Sequence, residues 1–250
     1  TGTGRIRKPS TPLWWRELML KYRVITGGLF LTLVAVLYIW APVWVVGLFL
    51  LGLSALALLE MVDLVKSAGY PALKWTCLGL TLLWMWSAWS AESGMEPWNQ
   101  LRALMPVISV WVVCLGCLFR SDQSKSLEKL TGSFVSLAYI AGLLPYIMMI
   151  LLLGLDGEDG RSLLLYGVLV IKFTDMGAYF VGTAIGKHKM IPTISPAKTW
   201  EGVIGGVLVA MAVSVLIMWL YTFELSGYSF RLTDALFLGF GLAVLGVVGD

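Results

Sequence analysis

Between Lys172 and Glu201 the chain reads KFTDMGAYFVGTAIGKHKMIPTISPAKTWE, which sets one acid, a basic cluster and a Ser-Pro-x-Lys turn inside an otherwise apolar pattern. A carboxylate such as Asp175 near a membrane boundary is costly unless it binds a cation, pairs with Lys172 or lines water. Magnesium takes one or two carboxylates together with water and substrate phosphates, which a lone helical Asp joined by another acid could supply. Lys187, Lys189 and Lys198 could hold phosphate; the plainer account of them is the basic bias of cytoplasmic loops and attraction to anionic lipid. Ser195 could cap the helix that follows, whose first-turn N–H groups would then form an anion site. Glu201 reads either as a first-turn acid favoured by the helix dipole or as a partner for Lys198. His188 is the only histidine, so a histidine-rich metal centre is excluded.

The elements that must position these residues are membrane spans. Of the 250 residues 58% are hydrophobic and only 13% charged, about half the charge of an ordinary soluble domain. The surplus apolar surface must face lipid, and the 12 Trp and 9 Tyr suit a protein that anchors aromatic rings at the headgroup level. The class is an all-α, polytopic integral membrane protein. Eight spans are expected, at about 24–39, 43–59, 73–89, 105–119, 134–153, 163–184, 203–221 and 235 to the end. The fourth is short and must borrow from its flanks, since crossing the hydrocarbon takes roughly 20 helical residues. The fifth has the cleanest pattern, after a polar loop at 120–132. The sixth carries Asp175 on its protein side. Cys77, Cys114 and Cys117 all lie in apolar stretches and are read as buried thiols without chemistry.

Basic residues give the expected orientation. With the N-terminus inside and eight crossings, fifteen of the 18 Lys and Arg fall on the inner side, leaving Arg102, Arg161 and Arg231 outside. Residues 1–23 then form a basic cytoplasmic lead and residues 24–250 the membrane domain. The 172–201 stretch and Asp250 share the cytoplasmic face. A site there can meet a soluble nucleotide and a lipid headgroup together, whereas a channel or transporter would show charges deep in several spans. A net charge of +3 without a basic stripe argues against nucleic acid as a partner.

Several blocks carry a family resemblance. They are Lys21 to Gly27 (KYRVITG), Asp175 to Gly182 (DMGAYFVG), Gly186 to Lys189 (GKHK), Ile194 to Gly202 (ISPAKTWEG) and Gly205-Gly206. In this order and spacing the chain resembles the phosphatidate cytidylyltransferases, or CDP-diacylglycerol synthases. The family's next block opens on Gly-Asp, which Gly249-Asp250 matches; the acid-rich remainder of that block is expected to lie beyond this chain.

The resemblance implies transfer of the cytidylyl group of CTP to phosphatidic acid, giving CDP-diacylglycerol and pyrophosphate by metal-assisted in-line attack. It implies Asp250 and Asp175 as magnesium contacts, with a second metal or a monovalent cation left open. Lys198 and Ser195 would orient nucleotide or lipid phosphate, Thr199 and Glu201 would border the substrates, Lys187 and Lys189 would draw polyanions to the mouth, and Arg23 would meet the lipid phosphate. The expected setting is the bacterial inner membrane, with membrane lipids around the chain. Glycine-rich helices suit a homodimer interface or internal contacts equally. Two alternatives stay open: nucleotidyl transfer to another lipid phosphate, and a non-enzymatic transporter or scaffold for anionic lipid.

Overall fold

A computed structural model describes residues 32–92, 98–119, 125–154, 159–191, 195–222 and 224–249. The chain divides into a unit of residues 1–42, in which 32–39 are helical, and a unit of residues 43–250 that holds every element named below. The rest of the first expected span lies outside the described residues, as do Arg23 and Asp250.

In the larger unit helix α1 (Val43–Ser67), α2 (Lys74–Glu92), α3 (Trp98–Leu118), α4 (Ser126–Ser136) and α5 (Leu144–Leu152) make one bundle. Leu58 and Val62 of α1, Cys77 and Leu80 of α2, Val113 and Cys117 of α3, and Leu137, Ile140 and Ala141 meet in its core. The α1–α2 connection is fastened to α4: the Leu73 N–H donates to Ser133 Oγ at 2.9 Å, and a Cβ on Gly132 would stand 2.4 Å from the carbonyl oxygen of Tyr70. Helices α6 (Arg161–Ile185), α7 (Trp200–Leu220) and α8 (Leu232–Gly249) make a second bundle around Tyr166, Val170, Ala210, Met218, Ala235 and Ala243. A buried polar thread crosses it, with Tyr166 Oη 2.7 Å from Ser214 Oγ and that hydroxyl donating in turn to the carbonyl of Ala235. In an apolar bundle such bonds fix which faces meet.

The chain is therefore a multi-pass membrane protein, nearly all helical. Among the described residues six helices are long and apolar enough to cross a membrane, 43–67, 100–118, 126–152, 161–185, 200–220 and 232–249, not the eight expected. The third expected span is a helix of 19 residues, but its four Trp, with Lys74, Glu92 and several hydroxyls, keep it out of that set.

Two further departures have physical causes. The fifth span, expected to be one clean helix from 134, starts at Ser126 inside the loop expected at 120–132, and it is broken. A π turn at Leu137–Ala141 precedes α5, and Pro145, which has no N–H to give, lies at the new helix start. The chain also contains two antiparallel pairs of strands, where only helices were expected. Strands β1 (Lys189–Ile191) and β2 (Ser195–Thr199) join α6 to α7; β3 (Glu224–Leu225) and β4 (Tyr228–Ser229) join α7 to α8. The second pair turns through Ser226 and Gly227, both at positive φ, as a two-residue hairpin requires.

Helices α6 and α7 approach so closely because glycines line their contact. A Cβ on Gly206 would lie 2.8 Å from the Thr174 carbonyl oxygen, and one on Gly205 2.5 Å from the Val181 side chain. Gly206→Leu must therefore push the two backbones apart, lowering stability by about 1–3 kcal/mol. Gly52→Leu, placed where a side chain meets open space, should leave the thermal midpoint in detergent within about a degree of the parent. Equal midpoints for both variants would contradict the packing described.

Candidate active site

The glycine contact brings the chemistry of α6 against the start of α7. One face of α6 supplies Asp175, Ala178, Tyr179, Gly182 and Thr183 to a cavity of about 630 Å³, whose other walls are Lys189, Ser195, Lys198 and Thr199 of the hairpin, Gly202 and Val203 of α7, and Val247 of α8. The α6 residues follow the i, i+3, i+4, i+7, i+8 spacing of one helical face.

The hairpin is held in three places. Its register pairs Lys189 with Thr199 and Ile191 with Ser195. The Trp200 N–H donates to the His188 carbonyl at 3.0 Å. Glu201, on the first turn of α7, accepts from the backbone N–H of His188 through both oxygens, at 3.2 and 3.3 Å, and lies 2.6 Å from His188 Nδ1. The carboxylate thus closes the loop that leaves α6.

Thr199, not Ser195, caps α7. Its Oγ1 accepts from the Gly202 N–H at 3.2 Å with the extended backbone that an N-cap adopts. The reason is register: Ser195 stands at the far end of β2, four residues before the cap. Its hydroxyl is left to the cavity wall instead. Thr199 is buried, and a Cβ on Gly186 would stand 2.6 Å from its Oγ1, so the C-terminal end of α6 closes directly over the cap.

Lys198 is not paired with Glu201. Its Nζ donates to the carbonyl of Val247 at 3.4 Å, which ties the hairpin to the last turn of α8. Lys189 is exposed at the cavity edge, while Lys187, also exposed, is not part of the lining. Asp175 forms no salt bridge with Lys172 among the described residues and faces the cavity space. The structure thus gathers Asp175, Lys189, Ser195, Lys198 and Thr199 around one space and leaves Lys187 outside it.

Several lining residues lacked a role in the sequence reading. Tyr179 and Thr183 follow Asp175 at four and eight residues, a helical spacing that was already legible. The Val247 carbonyl and the His188 clamp had no sequence signal, since both depend on how the hairpin folds back.

The donor set can be weighed against a divalent cation. Asp175 is the one carboxylate lining the cavity among the described residues, and no group of three or more His, Cys, Asp or Glu side chains gathers there. One carboxylate with a neighbouring hydroxyl and phosphate-bearing substrates fits the sparse protein ligation that magnesium accepts. Asp250 follows Val247 by three residues and lies outside the described residues.

Opening the Glu201 clamp should loosen the hairpin selectively. In Glu201→Gln the amides of 188–191 are expected to exchange hydrogen about ten-fold faster, the loss of one charge-assisted bond, with the α7 amides unchanged. Unaltered exchange at 188–191 would show that the carboxylate does not hold this loop.

A sequence model of the cytidylyltransferase family matches residues 21–250. The chain is 30% identical to the phosphatidate cytidylyltransferase of Bacillus subtilis over 92% of its own length and 81% of that protein. It is 28% identical to the Haemophilus influenzae phosphatidate cytidylyltransferase, over 93% of this chain and 84% of the relative, and 27% identical to that of Staphylococcus haemolyticus, over 88% and 80%. The matched region takes in all of α6, the β1–β2 hairpin and α7, so the cavity they enclose falls wholly within it. This chain belongs to the phosphatidate cytidylyltransferase family.

Proposed function

We propose that CTP and phosphatidic acid meet in the cavity between α6, the β1–β2 hairpin and α7. As a member of its family the chain is an enzyme that transfers the cytidylyl group of CTP to phosphatidic acid, giving CDP-diacylglycerol and pyrophosphate. The observation that supports placing the reaction here is the convergence of Asp175, Lys189 and Lys198 on one space of about 630 Å³, a volume typical of small-molecule sites.

In this reading an oxygen of the phosphatidate phosphate attacks the α-phosphorus of CTP. The new P–O bond forms in line with the bond to the β-phosphate, which breaks and leaves as pyrophosphate. The acceptor is already an oxyanion at neutral pH, so the side chains need not remove a proton. Their task is to hold several like-charged groups together. Lys198, steadied by the Val247 carbonyl, and Lys189 at the edge offset phosphate charge, and the Ser195 hydroxyl can donate to a phosphate oxygen. Asp175, with Asp250, would hold magnesium, which when bound neutralises crowded phosphate oxygens. Thr199 and Glu201 serve the site by fixing the hairpin. Lys187 draws polyanions toward the mouth, and Arg23 would reach the lipid phosphate.

The inner-side excess of Lys and Arg supports a cytoplasmic N-terminus and a cytoplasmic site in a bacterial inner membrane. The α2 helix and the segment around 24–39 would complete eight crossings. A homodimer would use α8, where Gly241 has open space in place of a side chain.

The test is magnesium-dependent formation of CDP-diacylglycerol by purified protein. Asp175→Asn and Asp250→Asn should each cost about 100-fold or more in kcat while the thermal midpoint holds. Parental turnover in both would remove the acids from the metal role. Separately, Lys198→Met is expected to lower kcat/KM for CTP or phosphatidate by about 10- to 100-fold, the loss of one charge-assisted phosphate contact. Unchanged kinetic constants would return Lys198 to a purely topological part.

A further inference from the structure

One wall of the cavity between α6, the hairpin and α7 has no part in the phosphate chemistry proposed for it. Along α6 the lining runs from Asp175 through Tyr179 to Thr183, and at about 1.5 Å per helical residue these lie at successive steps of about 6 Å toward the end that carries the hairpin. Exposed Lys187, His188 and Lys189 make that the polar end of the span, so Tyr179 stands one turn nearer water than the acid does.

Tyr179 is the one aromatic side chain lining the cavity among the described residues. On a helix that turns about 100° per residue it stands about 40° round from Asp175. Met176, Phe180 and Phe173 lie about 100–160° round from the acid, on an exposed apolar face of the kind a span shows to lipid. The Tyr179 ring is thus set apart from the side that would anchor it among lipid headgroups. It is 67% exposed, and its one ring contact among the described residues is with Phe180, edge to face, with centroids 5.7 Å apart and planes at 67°. A single such neighbour covers at most one face of the ring.

The order of charge along the wall decides what the open face receives. Lys189, Lys198 and Ser195 take up phosphate, with Asp175 as the metal carboxylate. A nucleotide that enters from the polar end carries its uncharged base on the water side of its α-phosphorus, while the acyl chains of the acceptor lead away into lipid. We infer that Tyr179 stacks on the cytosine ring of CTP and so supplies the affinity of this chain for the base. Stacking tolerates any flat base, so the ring gives affinity and leaves the choice of cytosine to other groups. The inference rests on the catalytic reading of this cavity and adds to it the place of the base.

The test reads the two substrates, and the two halves of the nucleotide, apart. In purified protein Tyr179→Leu should raise KM for CTP about ten-fold and weaken inhibition by CMP to the same extent, with KM for phosphatidate and inhibition by pyrophosphate unchanged. Tyr179→Phe, which keeps the ring, should recover KM for CTP to within about three-fold of the parent. Independently of any variant, irradiation of the parent protein with 5-iodo-CTP, whose carbon–iodine bond breaks in near-ultraviolet light, should join the base to Tyr179, as located by peptide mass spectrometry. A parental KM for CTP in Tyr179→Leu, an equal rise in both KM values, or an adduct at a residue outside this wall would overturn the inference. Asp175→Asn measured alongside separates the two levels: if it loses turnover while Tyr179→Leu keeps the parental KM, the base lies elsewhere in a correct site, and if both are parental the site itself is misplaced.

Discussion

The near contact of α6 and α7 is the constraint on which the rest of the site depends. Glycines at 177, 202, 205 and 206 leave each helix facing the other's backbone or small side chains such as Val181, Val209 and Ala178, so Asp175 on one helix stands beside the start of the other. A bilayer offers little hydrophobic drive for one helix to join another, and close packing of small residues takes its place. Thr199 then uses the same proximity twice, capping α7 with its hydroxyl while packing against Gly182 and Gly186 at the end of α6.

That arrangement resolves a conflict inherent in joining a nucleotide to a lipid. The acceptor must stay at the membrane boundary, the donor arrives from water, and both are polyanions. In the proposed reading a short hairpin between two spans would set Lys189 and Lys198 at the boundary without burying their charges deeply. The carbonyl of Val247 and the Glu201 clamp on His188 hold the hairpin, and in that reading the basic groups would be placed before substrate arrives. Placement of this kind is what in-line phosphoryl chemistry asks of a protein when the nucleophile is already charged.

Much of this was legible in the sequence and some was not. The apolar runs located the helices of both bundles, and Asp175 was placed on the protein side of α6, although the helical spacing that carries Tyr179 and Thr183 to the same face went unused. The order of the Asp175 and Ser195 blocks pointed to the family that the comparisons confirm. The β1–β2 hairpin was hidden because Ser-Pro-x-Lys reads as a turn, and nothing local requires Lys189 to pair with Thr199. Of the two readings open for Glu201, the first-turn acid holds and the Lys198 partner does not, because folding the loop back puts His188 against the carboxylate. The break at 137–145 had a visible cause in Pro145, but an uninterrupted apolar pattern outweighed it. The four Trp of α2 gave its sequence the look of a span while lowering its hydropathy as a helix.

The proposed chemistry requires that a carboxylate of α6 and the lysines of the hairpin serve one pocket. The most direct measurement is an experimental density map of the protein with CTP and Mn²⁺ bound, the manganese located by its anomalous signal. The ion is expected beside Asp175 and the triphosphate within reach of Lys189 and Lys198. Nucleotide density at the other end of the helices, or an ion with no contact to Asp175, would contradict it.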